Sequence, residues 1–76
     1  MAVTDAKNER EHLAQANRHI ARAQKDIAEQ KRLIEQLGRS GHDIDVAVSM
    51  LRALEFALYA FERHRDLITK RLKDDE

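Results

Sequence analysis

The stretch Ile44–Phe61, IDVAVSMLRALEFALYAF, restricts what this chain can fold into more than any other. Of its eighteen residues only Asp45, Ser49, Arg52 and Glu55 are polar. It is a little short and too polar for a membrane span, and too apolar for a helix with a single dry stripe. A helix of this composition must bury more of its circumference than one neighbouring helix can cover.

Ahead of it, Leu13, Ile20, Ile27 and Ile34 recur at seven-residue spacing, and Ala16, Ala23, Gln30 and Leu37 follow them three residues later. An a/d pattern sustained over about four heptads specifies a long helix packed along one seam. The opposite face carries Glu11, Arg18, Arg22, Lys25, Glu29, Arg32 and Glu35, a mixed and solvated surface. In the second half the same grammar gives Ile44, Leu51, Leu58, Arg65 and Leu72 at one seam position and Ala47, Leu54, Phe61 and Ile68 at the other.

Only Gly38–Asp43 interrupts the helical pattern. Gly38 falls where a left-handed residue would close the first helix. Ser40 paired with Asp43, or Asp43 by itself, would cap the second. Thr4 or Asp5 is expected to cap the first helix after a frayed Met1–Val3. Asp74, Asp75 and Glu76 are ill matched to the negative end of the second helix and are expected to fray.

A link this short makes long helices antiparallel neighbours. Folding there pairs Leu37 with Ile44, Gln30 with Leu51, Ile27 with Leu54, Ile20 with Phe61 and Leu13 with Ile68, so every layer joins one seam position to the other. The expected fold is therefore all-α, a single antiparallel two-helix coiled-coil hairpin spanning residues 1–76. Helix one covers about 5–37, the turn 38–43 and helix two about 44–73, giving a rod about 45 Å long at ~1.5 Å per residue. Its core is Leu13, Ile20, Ile27, Ile34, Leu51, Leu54, Leu58, Phe61 and Ile68.

Beside the seam, Val46, Met50, Ala53, Ala57, Ala60 and His64 form a stripe of mostly small residues, with Leu33, Leu37, His19 and His12 on the matching side of helix one. A hairpin of 76 residues without cysteine lies near the lower limit for a self-sufficient core. Covering the stripe with a second copy would give a homodimeric four-helix bundle with isologous symmetry. Val46, Met50, Ala53, Ala57, Ala60, His64, Leu33 and Leu37 are then the dimer interface. A different protein partner is the alternative occupant.

Fourteen basic and fourteen acidic residues cancel, so no net field draws in nucleic acid or anionic membrane. The opening MAVTDAKNER has no apolar core of a secretory signal, which points to a cytoplasmic protein. Absence of cysteine removes disulfides and thiolate metal sites. No cofactor is expected.

Chemistry-bearing residues are few. His19 and His64 flank the seam on one side, where two imidazoles could bind zinc, or weaken the bundle when both are protonated. They are the only candidates for a metal- or pH-responsive spot, and boundary residues with polar tips in water are the plainer reading. Glu9 and His12 have the Glu-x-x-His spacing of di-iron bundles, but sit near the chain end with no inward glutamate opposite. None of His12, His19 and His64 is followed by the acid that marks a phospho-accepting histidine. His42 does precede Asp43, but in the turn. Gln30 and Arg65 are polar seam residues of the kind that fix register. No nucleophile, base and orienting group converge, and two straight helices offer no enclosed pocket, so an enzyme is not expected.

The segments Glu9–Ile20 and Ile27–Leu37, the turn Gly41-His42-Asp43, and Ala47, Leu51 and Glu55 beyond it together resemble a group of short bacterial helical-hairpin proteins with no assigned activity. The resemblance implies a stand-alone small bacterial protein and assigns no ligand or site residue. The function expected is a small non-enzymatic interaction or regulatory protein that binds a protein partner through its helical faces. A nucleic-acid-associated bundle, or a metal- or pH-responsive bundle using His19 and His64, is the alternative.

Overall fold

The computed structural model describes residues 2–74, with side chains for residues 7–74. Helix α1 runs Ala2–Arg39 and helix α2 runs Asp45–Asp74, and the two pack side by side as an antiparallel hairpin. Among the described residues there is no strand and no helix long and apolar enough to cross a membrane.

Helix α1 is longer than the pattern predicts. It begins at Ala2, so Thr4 and Asp5 lie inside its first turns rather than at a cap, and it continues through Gly38 to Arg39. Its 38 residues account for a molecule 59 Å long, not 45 Å. Asp74 is the last residue of α2. The expected fraying of Asp75 and Glu76, and of Met1, lies outside the described residues.

The turn differs from expectation in one residue that matters. Gly41, not Gly38, takes the left-handed conformation, with φ at 77°. The N–H of His42 donates to the carbonyl of Leu37 at 2.9 Å and that of Gly41 to the carbonyl of Gly38 at 3.2 Å. These two bonds form a Schellman closure, in which the left-handed residue stands one past the cap. Gly38 therefore stays helical and Ser40 closes α1 instead of opening α2. Asp43 alone starts α2: its carboxylate accepts the N–H of Asp45 at 2.9 Å, which meets an otherwise orphaned donor.

The seam forms as the heptads require, but the two helices contribute unequally. Ala16, Ile20, Ala23 and Ile27 of α1 are buried, whereas α2 buries only Ala47 and Ile68, the latter 1% exposed. Leu13, Ile34, Leu51, Leu54, Leu58 and Phe61, all expected in the core, are half-buried. A single α1 covers about one stripe of α2, and the larger apolar side chains of α2 extend past its edge. The radius of gyration of 17.3 Å compares with about 11 Å for a globular chain of this length. The hairpin is a thin rod with little interior.

Polar seam residues find hydrogen-bonding partners. Gln30 donates through Nε2 to the carbonyl of Ala47 at 2.9 Å. The half-buried Arg65 meets Asp66 at 3.2 Å. Glu9 is less well served: Oε1 lies 3.6 Å from Arg71 Nη1, while the buried Oε2 has no partner among the described residues.

Candidate functional site

The surface that sets this hairpin apart is the part of α2 that α1 leaves open. Among the described residues, every large exposed apolar side chain but one belongs to this helix: Val46 (84% exposed), Met50 (53%), Phe56 (74%), Tyr59 and Leu67, with Leu33 the exception on α1. Val46, Met50, Ala53, Ala57, Ala60, His64 and Leu67 follow one another at steps of four and three, so they form a second stripe beside the seam. Met50, Ala53, Ala60 and His64 are exposed and Ala57 is half-buried. Leu37 is half-buried near the turn, where it borders an open hollow with Leu33, Gln36, Ser40 and His42.

Because the alanines of this stripe are short, an open groove runs between the helices. One part, of about 280 Å³, is walled by His12, Gln15 and His19 of α1 and by Ala60, Phe61 and His64 of α2, over Ala16. It continues into a smaller hollow of about 130 Å³ bordered by Arg22, Asp26, Leu54 and Ala57. The His19 ring packs against Phe61, centroids 5.1 Å apart and planes tilted by 42°. An imidazole held this way keeps an apolar face on the seam and a polar edge at the groove.

His19 and His64, expected on one flank of the seam, both line this groove, and His12 lies around it with them. Among the described residues no three His, Cys, Asp or Glu side chains are placed to hold a metal ion. The groove can offer imidazole hydrogen bonds at its rim and a smooth apolar floor, which suits a packed helix better than a small solute. The pairs Arg39–Glu35 and Arg65–Asp66 are solvent-exposed and lie away from it.

Phe56 and Tyr59 fall outside the seam in the sequence pattern but were not part of the expected interface. Phe56 lies three residues after Ala53 and four before Ala60, which puts it on the rim of the stripe. Tyr59 receives a hydrogen bond from Arg63 at 3.2 Å, with the guanidinium carbon 5.8 Å from its ring centre. Asp26 and Arg22 are further additions, since the heptad reading treats Arg22 as part of the solvated face. The spacing did carry the signal: His12, Gln15, His19, Arg22 and Asp26 follow each other at three and four residues.

The chain matches no protein-family model, no curated protein and no solved structure. The functional reading therefore rests on the geometry of this face.

Proposed function

We propose that this is a small cytoplasmic, non-enzymatic interaction protein whose working part is the open face of α2, and that it binds a protein through helix-to-helix packing. The observation carrying this is the run of large apolar side chains on α2 that the hairpin leaves in water. Monomeric proteins rarely keep contiguous apolar surface exposed without a partner for it. The alanine-floored groove supports the same reading, because short side chains admit a second helix closely. Charge is balanced, so the attraction is one of shape and apolar area rather than of field.

The test is capture by the tagged protein in its host extract, and self-association of the pure protein, each compared with a Phe56→Glu, Met50→Glu variant. Both positions are exposed, so the variant should keep its helical circular dichroism and lose association. A wild type that neither self-associates nor captures a protein sinks the proposal. So does a salt-sensitive shift of DNA or RNA at physiological salt, which would favour a nucleic-acid role.

A further inference from the structure

We infer that the open face is covered by a second copy of this chain, related by a two-fold axis perpendicular to the helices and level with Ala57 of α2 and Gln24 of α1. This rests on the reading of the face as an interaction surface and names its occupant.

The hairpin exposes 6153 Å². A globular monomer of its mass, 8.8 kDa, exposes about 4,800 Å². The excess, roughly 1,400 Å² spread over the whole rod, leaves room for the ~800 Å² that each partner gives up in a standard stable interface.

The sequence of sizes along the stripe then selects the partner. Read outward from Ala57, the stripe is close to a palindrome: alanine at Ala53 and Ala60, then Met50 and His64, then Val46 and Leu67. A palindromic stripe is complementary to itself run backwards. In an antiparallel α2–α2 contact Ala57 meets the partner's Ala57, Met50 meets the partner's His64, and Val46 meets the partner's Leu67. The small residues fall together at the centre, where the helices come closest, and the large ones close the ends. Phe56, otherwise in water, comes beside the partner's Phe56 at the axis.

An independent pattern on α1 agrees. Across the hairpin, the contact of His19 with Phe61 fixes which levels of the two helices correspond. It carries the axis from Ala57 to within a residue of Gln24. About that point the same two-fold puts Arg22 against the partner's Asp26, and His19 against the partner's Glu29, each twice. Sliding the copies by one helical turn sets Asp26 against the partner's Asp26 in one direction, and Arg22 against the partner's Arg22 in the other. Like charges oppose both slips. Neither Arg22 nor Asp26 takes part in an ion pair among the described residues. Side-chain size on α2 and charge on α1 select one register.

The chain has no cysteine, so a single introduced thiol reports its own neighbours. In oxidised, folded protein Ala57→Cys should link to itself, and Ala53→Cys mixed with Ala60→Cys should give the mixed dimer. Ala21→Cys, on the opposite side of α1, should not link. Light scattering at micromolar concentration should give twice the 8.8 kDa chain mass. Arg22→Glu should weaken the dimer about tenfold or more, and adding Asp26→Arg should restore it. A folded monomer overturns this inference, as does linkage through Ala21→Cys in place of Ala57→Cys, or a charge swap that restores nothing. A folded monomer that captures another protein through Met50 and Phe56 overturns the second copy yet leaves the interaction reading intact. Loss of both self-association and capture removes that reading too.

Discussion

The side-chain amide of Gln30 spans the two helices and donates to the main-chain carbonyl of Ala47. Helix carbonyls point along the chain towards the residue four positions on. The acceptor thus points at the N–H of Leu51, the residue that heptad pairing places opposite Gln30. One side chain fixes the register of α1 against α2. Truncating it should leave a half-buried carbonyl with only its own helix as partner. Gln30→Ala is therefore expected to cost about 1 kcal/mol in urea unfolding. Gln30→Leu should cost less or even stabilise, since a polar seam residue supplies register at some expense of stability. Equal losses in both variants would mean that the hydrogen bond contributes nothing.

The two glycines should respond in opposite directions. Gly38 is helical, and a Cβ there would meet nothing within 4 Å. Gly38→Ala should therefore raise stability by about 0.5–1 kcal/mol. Gly41 holds φ at 77°, where an L side chain is strained although space is open. Gly41→Ala should lower stability by about 1–2 kcal/mol. Thermal melts of the two variants read the signs directly, and reversed signs would place the helix end at Gly38.

Asp43→Ala removes the acceptor for the Asp45 N–H at the start of α2. The loss expected is about 1 kcal/mol, with Asp43→Asn close to wild type because asparagine caps equally well. Ser40→Ala should be near neutral, since Asp43 alone receives that N–H. A larger loss at Ser40 than at Asp43 would restore the capping box.

Two core truncations report what covers α2. Ile68 is 1% exposed within the hairpin itself, so Ile68→Ala should cost about 2–5 kcal/mol. Leu54 is half-buried and borders the groove. In a lone hairpin Leu54→Ala should cost clearly less than Ile68→Ala. If a second copy closes the groove, the two costs converge at high protein concentration and the Leu54 loss shrinks towards its lone-hairpin value as protein is diluted. Denaturation at two protein concentrations separates these cases.

Zinc should leave the melting temperature of the protein unchanged. His12, His19 and His64 share a groove, but no three candidate ligands among the described residues can hold a metal together. Two imidazoles without a third and fourth donor make a weak site. A zinc-dependent rise that disappears in a His19→Gln, His64→Gln variant would contradict this and give the groove a metal-binding role.

The sequence by itself determined the two helices, their antiparallel pairing and the layers of the seam. These follow from periodicity, because residues three and four apart share a helix face wherever the helix lies. The seven-residue spacing of Leu13, Ile20, Ile27 and Ile34 and the break at Gly38–Asp43 were sufficient for that. Which glycine turns left-handed was decided only in three dimensions. Both Gly38 and Gly41 satisfy the local rule, and the choice depends on where the last helical carbonyls find donors, which proves to be the N–H groups of Gly41 and His42. The degree of burial was likewise a tertiary result. Periodicity ranks Leu54 and Ile68 alike, yet α1 covers Ile68 completely and leaves Leu54 at the edge of a groove. The shared groove of His12, His19 and His64 depends on the short alanines between them, and only packed helices turn missing side-chain volume into an accessible face.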